Sequence, residues 1–201
     1  MSTAAVPPPV APFTPPPAPR RMTTEEMLAL PDDGMDRWLI NGELREKPMT
    51  VRNRFHSKVM ACVVAVLKNW LDLQSLPRGE VLCGEAGVRL RRNPDLTVGV
   101  DAVYVPPDVV TVQTDATTLI DGIPSLVVEI LSPNDTVEEI NEKIAAYRAA
   151  GVPHIWVIDP YQRTLVVHRP NAEPALFNPT QEVTAEPQLP GFRTSVARLF
   201  D

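Results

Sequence analysis

Two cysteines, no apolar run of membrane-spanning length and no surplus of positive charge set the first limits on this 201-residue chain. Cys62 falls in an expected helix and Cys83 in an expected strand. That spacing makes neither a zinc-ligand set nor a disulfide framework, so buried thiols in a reducing compartment are expected. A membrane-spanning helix needs about 20 consecutive apolar residues, and nothing in the chain approaches that. The N-terminus also lacks the apolar core of a secretory signal, so the expected location is cytoplasmic, with no membrane partner. The net charge is −6 and the sequence pI about 5.1. A general nucleic-acid coat protein is excluded on that balance, because neutralising phosphates takes excess Lys and Arg. A local basic patch remains open at Arg89-Leu90-Arg91-Arg92, and an edge strand guarded by its charges reads equally well there.

What the chain does have is proline at one end and a core-sized share of apolar residues elsewhere. Residues 1–21, MSTAAVPPPVAPFTPPPAPRR, are rich in proline and alanine, which gives polyproline II or a disordered tail, with a proline-recognising partner as the alternative. Residues 22–201, in a chain that is 44% hydrophobic, suffice for one domain. Thr23-Thr24-Glu25-Glu26 fits a capping box for a short helix that Pro31-Asp32-Asp33-Gly34 ends. WLINGEL (Trp38 to Leu44) reads as a hairpin around Asn41-Gly42. Phe55, Val59, Val63, Val66 and Trp70 form the apolar stripe of a helix from about Asn53 to Leu73. Strands are expected at Glu80 to Cys83, Gly87 to Arg91 and Leu96 to Val105.

The run LVVEILSPNDTVEEINEKIAAY (Leu126 to Tyr147) carries the chemical information. Its first part is apolar on both faces, as in a central strand covered on each side. Glu129 nevertheless lies in the middle of it. A carboxylate there loses hydration and needs a metal, a cation or hydrogen-bond donors as compensation. Ser132-Pro133-Asn134-Asp135 offers turn and N-cap residues, a helix follows to about Ala150, and Gly151 stops it. HIWVID (His154 to Asp159) then returns as a buried strand, completing a β-α-β crossover. A last hairpin turns at Asp159-Pro160-Tyr161-Gln162, and a further strand is expected at Phe192 to Val196.

A second acid, Asp101, is set between Val98, Val100, Val103 and Val105. Two strands joined by a loop of about twenty residues commonly pair, and paired mid-strand acids can converge on one metal ion. Lys143 lies about 60° from Ile140 around the following helix, which lets it reach inward. Two carboxylates and a lysine are the groups that metal-assisted phosphodiester hydrolysis requires. A buried structural salt bridge between Glu129 and Lys143 explains much of the same pattern. Tyr147 and Trp156 read as core.

The order GEL (Gly42 to Leu44), His56 at a helix start, VDAVYV, LVVEILSP, EKIAAY, AGV and IWVIDP resembles the Uma-type branch of bacterial restriction endonucleases, within the PD-(D/E)xK nuclease superfamily. The resemblance covers Thr23 to about Arg169. It implies an α/β, restriction-endonuclease-like core, a central mixed β-sheet flanked by helices in the order α-β-β-β-α-β. It implies Asp101 as the acid of the PD motif, Glu129 as the acid of the E-x-K motif and Lys143 as its lysine, displaced to the helix. Asp101 and Glu129 would hold Mg²⁺, or Mn²⁺, and the protein would be an endonuclease hydrolysing nucleic acid, with DNA as the expected substrate and a homodimer suited to cutting both strands of a duplex. His56 and Glu43 are accessory candidates; for His56 a capping or structural role fits equally. Three positions depart from the pattern. Val100 replaces the motif proline, Leu131 follows Glu129 where the lysine would stand, and Trp38 replaces an acid. A metal-free binding or scaffold module on the same fold is the rival.

Overall fold

The computed structural model describes residues 20–51, 53–114 and 118–201. The proline-rich tail expected for residues 1–21 lies almost wholly outside the described residues. Helix α1 (Thr24–Leu28) starts at Thr23, whose hydroxyl and the Glu26 carboxylate cap each other's backbone as the sequence indicates. Strands β1 (Met35–Ile40) and β2 (Glu43–Pro48) form the expected hairpin. Its turn holds Asn41 and Gly42 at φ 54° and 77°, the left-handed pair of a two-residue hairpin loop. Helix α2 (Arg54–Leu71) is capped by Asn53, whose side chain accepts from the Phe55 and His56 amides.

One long strand, β3 (Glu80–Arg91), replaces the two expected there. The break expected between Cys83 and Gly87 is a bulge: the register against β4 (Leu96–Val105) shifts between Cys83 and Ala86, and the chain continues. Helix α3 (Pro107–Val110) and the short β5 (Ile120–Asp121) lead to β6 (Leu126–Ile130). Helix α4 (Val137–Ala150) is capped by Thr136 with Glu139, one residue beyond the expected capping stretch, and Gly151 closes it at φ 90°. Then come β7 (His154–Asp159), β8 (Thr164–His168), β9 (Ala175–Phe177), β10 (Glu182–Thr184), β11 (Arg193–Ser195) and a 3₁₀ turn (Val196–Leu199).

Among the described residues nine strands make one mixed sheet in the order β2-β1-β4-β6-β7-β8-β9, with β3 pairing β4 and β5. Only β6–β7 and β3–β5 are parallel among the described residues, and β6–α4–β7 is the crossover. Each face has its own core. Val59, Val63, Leu67 and Trp70 of α2 pack with the 3₁₀ turn against Val128, Ile130, Trp156 and Ile158. Ile144 and Tyr147 of α4 cover Val103, Val127, Ile155 and Val157 on the other. Each such side chain, buried in full, contributes roughly 1.5–3 kcal/mol before entropy is counted.

Three expectations change. Phe55 is exposed, because His56 takes the inward place at the head of the α2 stripe. Arg89 is neither a surface patch nor an edge guard: it is buried and pairs with Asp121 at 2.7 Å and Glu25 at 2.6 Å. Cys83 is exposed and Cys62 half-buried, so neither thiol is buried as expected.

Candidate active site

The site lies where the sheet forks. One edge of β4 is shared by two strands: β1 meets it at Thr97, and β6 pairs with Ala102, Val103 and Tyr104. Between Thr97 and Ala102 that edge has no strand partner among the described residues, and side chains take over the polar backbone. The Asp101 Oδ2 accepts from the Ile130 amide at 2.7 Å, and the Lys143 ammonium donates to the Gly99 carbonyl at 3.3 Å. Continuing the β4–β6 register by one residue sets Asp101 opposite Glu129, so the two mid-strand acids do become cross-strand neighbours.

Glu129 is in phase with Val127 and so faces α4. Lys143 Nζ lies 3.2 and 3.0 Å from its two carboxylate oxygens, and the Tyr147 hydroxyl donates to Oε1. Lys143 and Tyr147 are one α-turn apart, which stacks them on the same helix face. From the first turn of α2, His56 presents Nε2 to Asp101 Oδ1 at 3.0 Å, while its Nδ1 is buried without a partner. Glu129, Asp101 and His56 are 4, 5 and 1% exposed.

Burial, and secondarily the nearby Asp101 charge, push the Glu129 carboxyl above its ordinary range against the opposing pull of Lys143. Burial would lower the Lys143 ammonium, yet Glu129 and then Asp101 hold it above its ordinary value, so it stays charged. Burial and Glu129 raise the Tyr147 phenol well above its usual value, which fixes it as a donor.

The cluster opens into a cleft of about 230 Å³, bordered by Trp38, Arg37, Lys47, Gly99, Ile130 and Asp135, among others. The structure therefore brings together Asp101, Glu129, Lys143 and His56. It does not bring in Glu43, which is half-buried on β2 and accepts from Arg45 at 3.2 Å, nor Glu46, which faces Arg37. Tyr147 is the site residue that the periodicity hid: it is fully buried core and also bonded to the acid. Its i, i+4 spacing from Lys143 is the signal that could have found it.

The donor chemistry suits a hard divalent cation. Two carboxylates from adjacent strands border the cleft, and among the described residues no group of three or more His, Cys, Asp or Glu is placed to hold a metal ion by itself, so any ion there would rely on these two acids and on water or phosphate oxygens. Mg²⁺ is commonly held by one or two carboxylates with its other positions left to water and phosphate oxygens, so Asp101 and Glu129 fit it.

A mixed sheet forking around two acids and a helix-borne lysine, with helices on both faces, defines a restriction-endonuclease-like, nuclease-class fold. The chain belongs to the Uma2 family, described as "Putative restriction endonuclease", whose model matches residues 24–197. Among solved structures it is similar to a crystal structure from Anabaena variabilis described as "a putative nuclease belonging to DUF820". The TM-score is 0.72 and the identity 22%, covering 89% of this chain and 97% of that one. No curated protein matches it.

Proposed function

We propose that the protein is a Mg²⁺-dependent endonuclease that hydrolyses phosphodiester bonds in DNA. The single observation that carries this reading is the convergence of Asp101, Glu129 and Lys143 at the unpaired stretch of β4, open to the cleft. Asp101 and Glu129 would hold Mg²⁺, with Mn²⁺ as a substitute. When bound, the ion supplies charge neutralisation at the phosphoryl oxygens and acidifies water.

The chain's own groups divide the remaining work. His56 Nε2 and the Ile130 amide fix the two oxygens of Asp101, and the Tyr147 hydroxyl fixes Glu129. Held as an ammonium, Lys143 is a donor rather than a base. It orients the attacking water and stabilises charge that builds on the phosphoryl group. Proton removal then falls to water rather than to Nζ.

A metal-free binding module is the second reading, favoured because Lys143 already contacts both Glu129 oxygens and so neutralises the acid unaided. Cleavage decides between them. Supercoiled and single-stranded circular DNA are incubated with the wild-type protein and with Asp101→Asn and Glu129→Gln, in Mg²⁺ or Mn²⁺ and in chelator. The nuclease reading expects metal-dependent nicking, reduced at least a hundredfold in both variants. Nicking that persists in either variant would contradict it.

A further inference from the structure

Phe55 occupies a position that helical periodicity assigns to the core, yet it is 46% exposed, and Tyr161 beside it is 54% exposed. Their rings lie 5.5 Å apart, tilted at 59°. Single exposed apolar side chains are ordinary. A pair of aromatic rings set among cations on a chain of net charge −6 is not.

Arg54 places its guanidinium 4.9 Å over the Phe55 ring. Lys58 and Arg163 border the same hollow, which measures about 500 Å³. Asp201 is bonded to Arg163 at 2.7 Å and interacts electrostatically with Lys58. Asp159 is turned into its own loop, accepting from the Tyr161 and Gln162 amides at 2.8 and 3.0 Å.

The surface is fixed, and shared lining residues connect it with the active site. Asn53 caps the backbone of Phe55 and His56 together, so the helix start that aims His56 at Asp101 also aims Phe55 outward. Asp159 holds the Tyr161 turn in the same manner. Tyr161 also borders the groove that runs by Ser132 to Asp135, and Asp135 lines the catalytic cleft. Preorganised aromatic rings bind without a large ordering cost.

We infer that Phe55 and Tyr161, with Arg54, Lys58 and Arg163, form a stacking platform for the unpaired bases of a single-stranded nucleic-acid segment leading into the cleft. The inference rests on the nucleic-acid reading of that cleft. Aromatic rings stack on the faces of bases, cations beside them take the phosphates, and the faces are free only where the strand is unpaired. A duplex hides those faces, so this surface favours a single strand or the frayed flank of a cut site.

The test is fluorescence anisotropy of a labelled oligothymidylate of about 20 nucleotides, beside a duplex of equal length, with the full chain in chelator and over a range of KCl. Phe55→Ala/Tyr161→Ala and Lys58→Gln are compared with the wild type, each verified as folded by circular dichroism and thermal unfolding. The expected result is tighter binding of the single strand than of the duplex by the wild type. The double variant weakens the single strand roughly tenfold or more, with little change for the duplex. Lys58→Gln lowers the slope of log K against log salt by about 0.7. Equal single-strand affinity in wild type and folded double variant, or no single-strand binding by the wild type, overturns the platform. The two readings fail separately. Metal-dependent cleavage with unaltered binding in the double variant sinks only the platform. Loss of binding in that variant, with a wild type that never cleaves, supports the platform and sinks only the nuclease.

Discussion

Replacing Lys143 by methionine keeps the side-chain length and removes the charge. The ammonium makes three contacts, at 3.2 and 3.0 Å to Glu129 and 3.3 Å to the Gly99 carbonyl. Without it Glu129 keeps, among the described residues, only the Tyr147 hydroxyl as a side-chain donor, close to a second buried acid. At about 3 Å and an effective dielectric of about 20 the lost attraction is roughly 5 kcal/mol, and removing one partner of a buried pair typically costs about 3–5 kcal/mol. Lys143→Met should therefore lose about 3–5 kcal/mol in chelator near pH 8, which for a chain of this size lowers Tm by about 6–20 °C. Protonation of Glu129 relieves the penalty. Its folded pKa already lies above the ordinary 4.5 and rises further without the lysine. Acid pH therefore stabilises the folded variant, and the stability is lost as pH rises through the folded value. The deficit should shrink near pH 5. Adding Glu129→Gln should recover about 2 kcal/mol or more of it, because the double variant leaves no unpaired charge. Millimolar Mg²⁺ should stabilise Lys143→Met more than the wild type, since a cation then replaces the ammonium. Urea unfolding of the four proteins of the cycle at both pH values measures all of this. A loss below about 1 kcal/mol at pH 8, with no pH dependence, would refute the reasoning.

Three further outcomes follow from other parts of the structure. Tyr147→Phe keeps the buried ring and deletes the donor to Glu129, so unfolding should show a loss of about 1.5–3 kcal/mol at neutral pH; no loss would mean that the hydroxyl does not serve the acid. A Cβ at Gly79 would come 2.2 Å from the Val105 carbonyl oxygen and 2.7 Å from the Tyr104 ring, so Gly79→Ala should cost about 1–3 kcal/mol in the same assay, and a neutral result would contradict that packing. Burial holds the His154 ring below its usual 6.5. A depressed folded pKa gives stability that is present above 6.5 and lost as pH falls through the folded value. His154→Gln should flatten the pH dependence of stability below about pH 6.5, and an unchanged profile would remove that account.

The chemical part of the site was legible because it breaks a rule. A carboxylate inside LVVEI and another inside VGVDAVYV have no place in two-sided strands unless something answers their charge, and continuing the β4–β6 register by one residue sets the two acids opposite each other. The crossover and the capping of α1 were equally readable, since local hydrogen-bond chemistry decides them. What periodicity could not supply was the tertiary choice between near-equal alternatives. At the head of α2 either Phe55 or His56 can point inward. A hydrogen bond to Asp101, absent from any local pattern, accompanies the inward turn of the histidine. Likewise Arg89 looked like surface because its partners Glu25 and Asp121 are distant in sequence. The fork in the sheet depends on where β1 leaves β4, which no single segment encodes.

The claim that Asp101 and Glu129 form a divalent-cation site is tested most directly by calorimetric titration of Mg²⁺ and Mn²⁺ into the full chain, beside folded Asp101→Asn and Glu129→Gln. The account predicts saturable binding that weakens as the pH is lowered and is lost in both variants. No binding of either ion by the wild type at millimolar concentration, or binding unaffected by both substitutions, would contradict it.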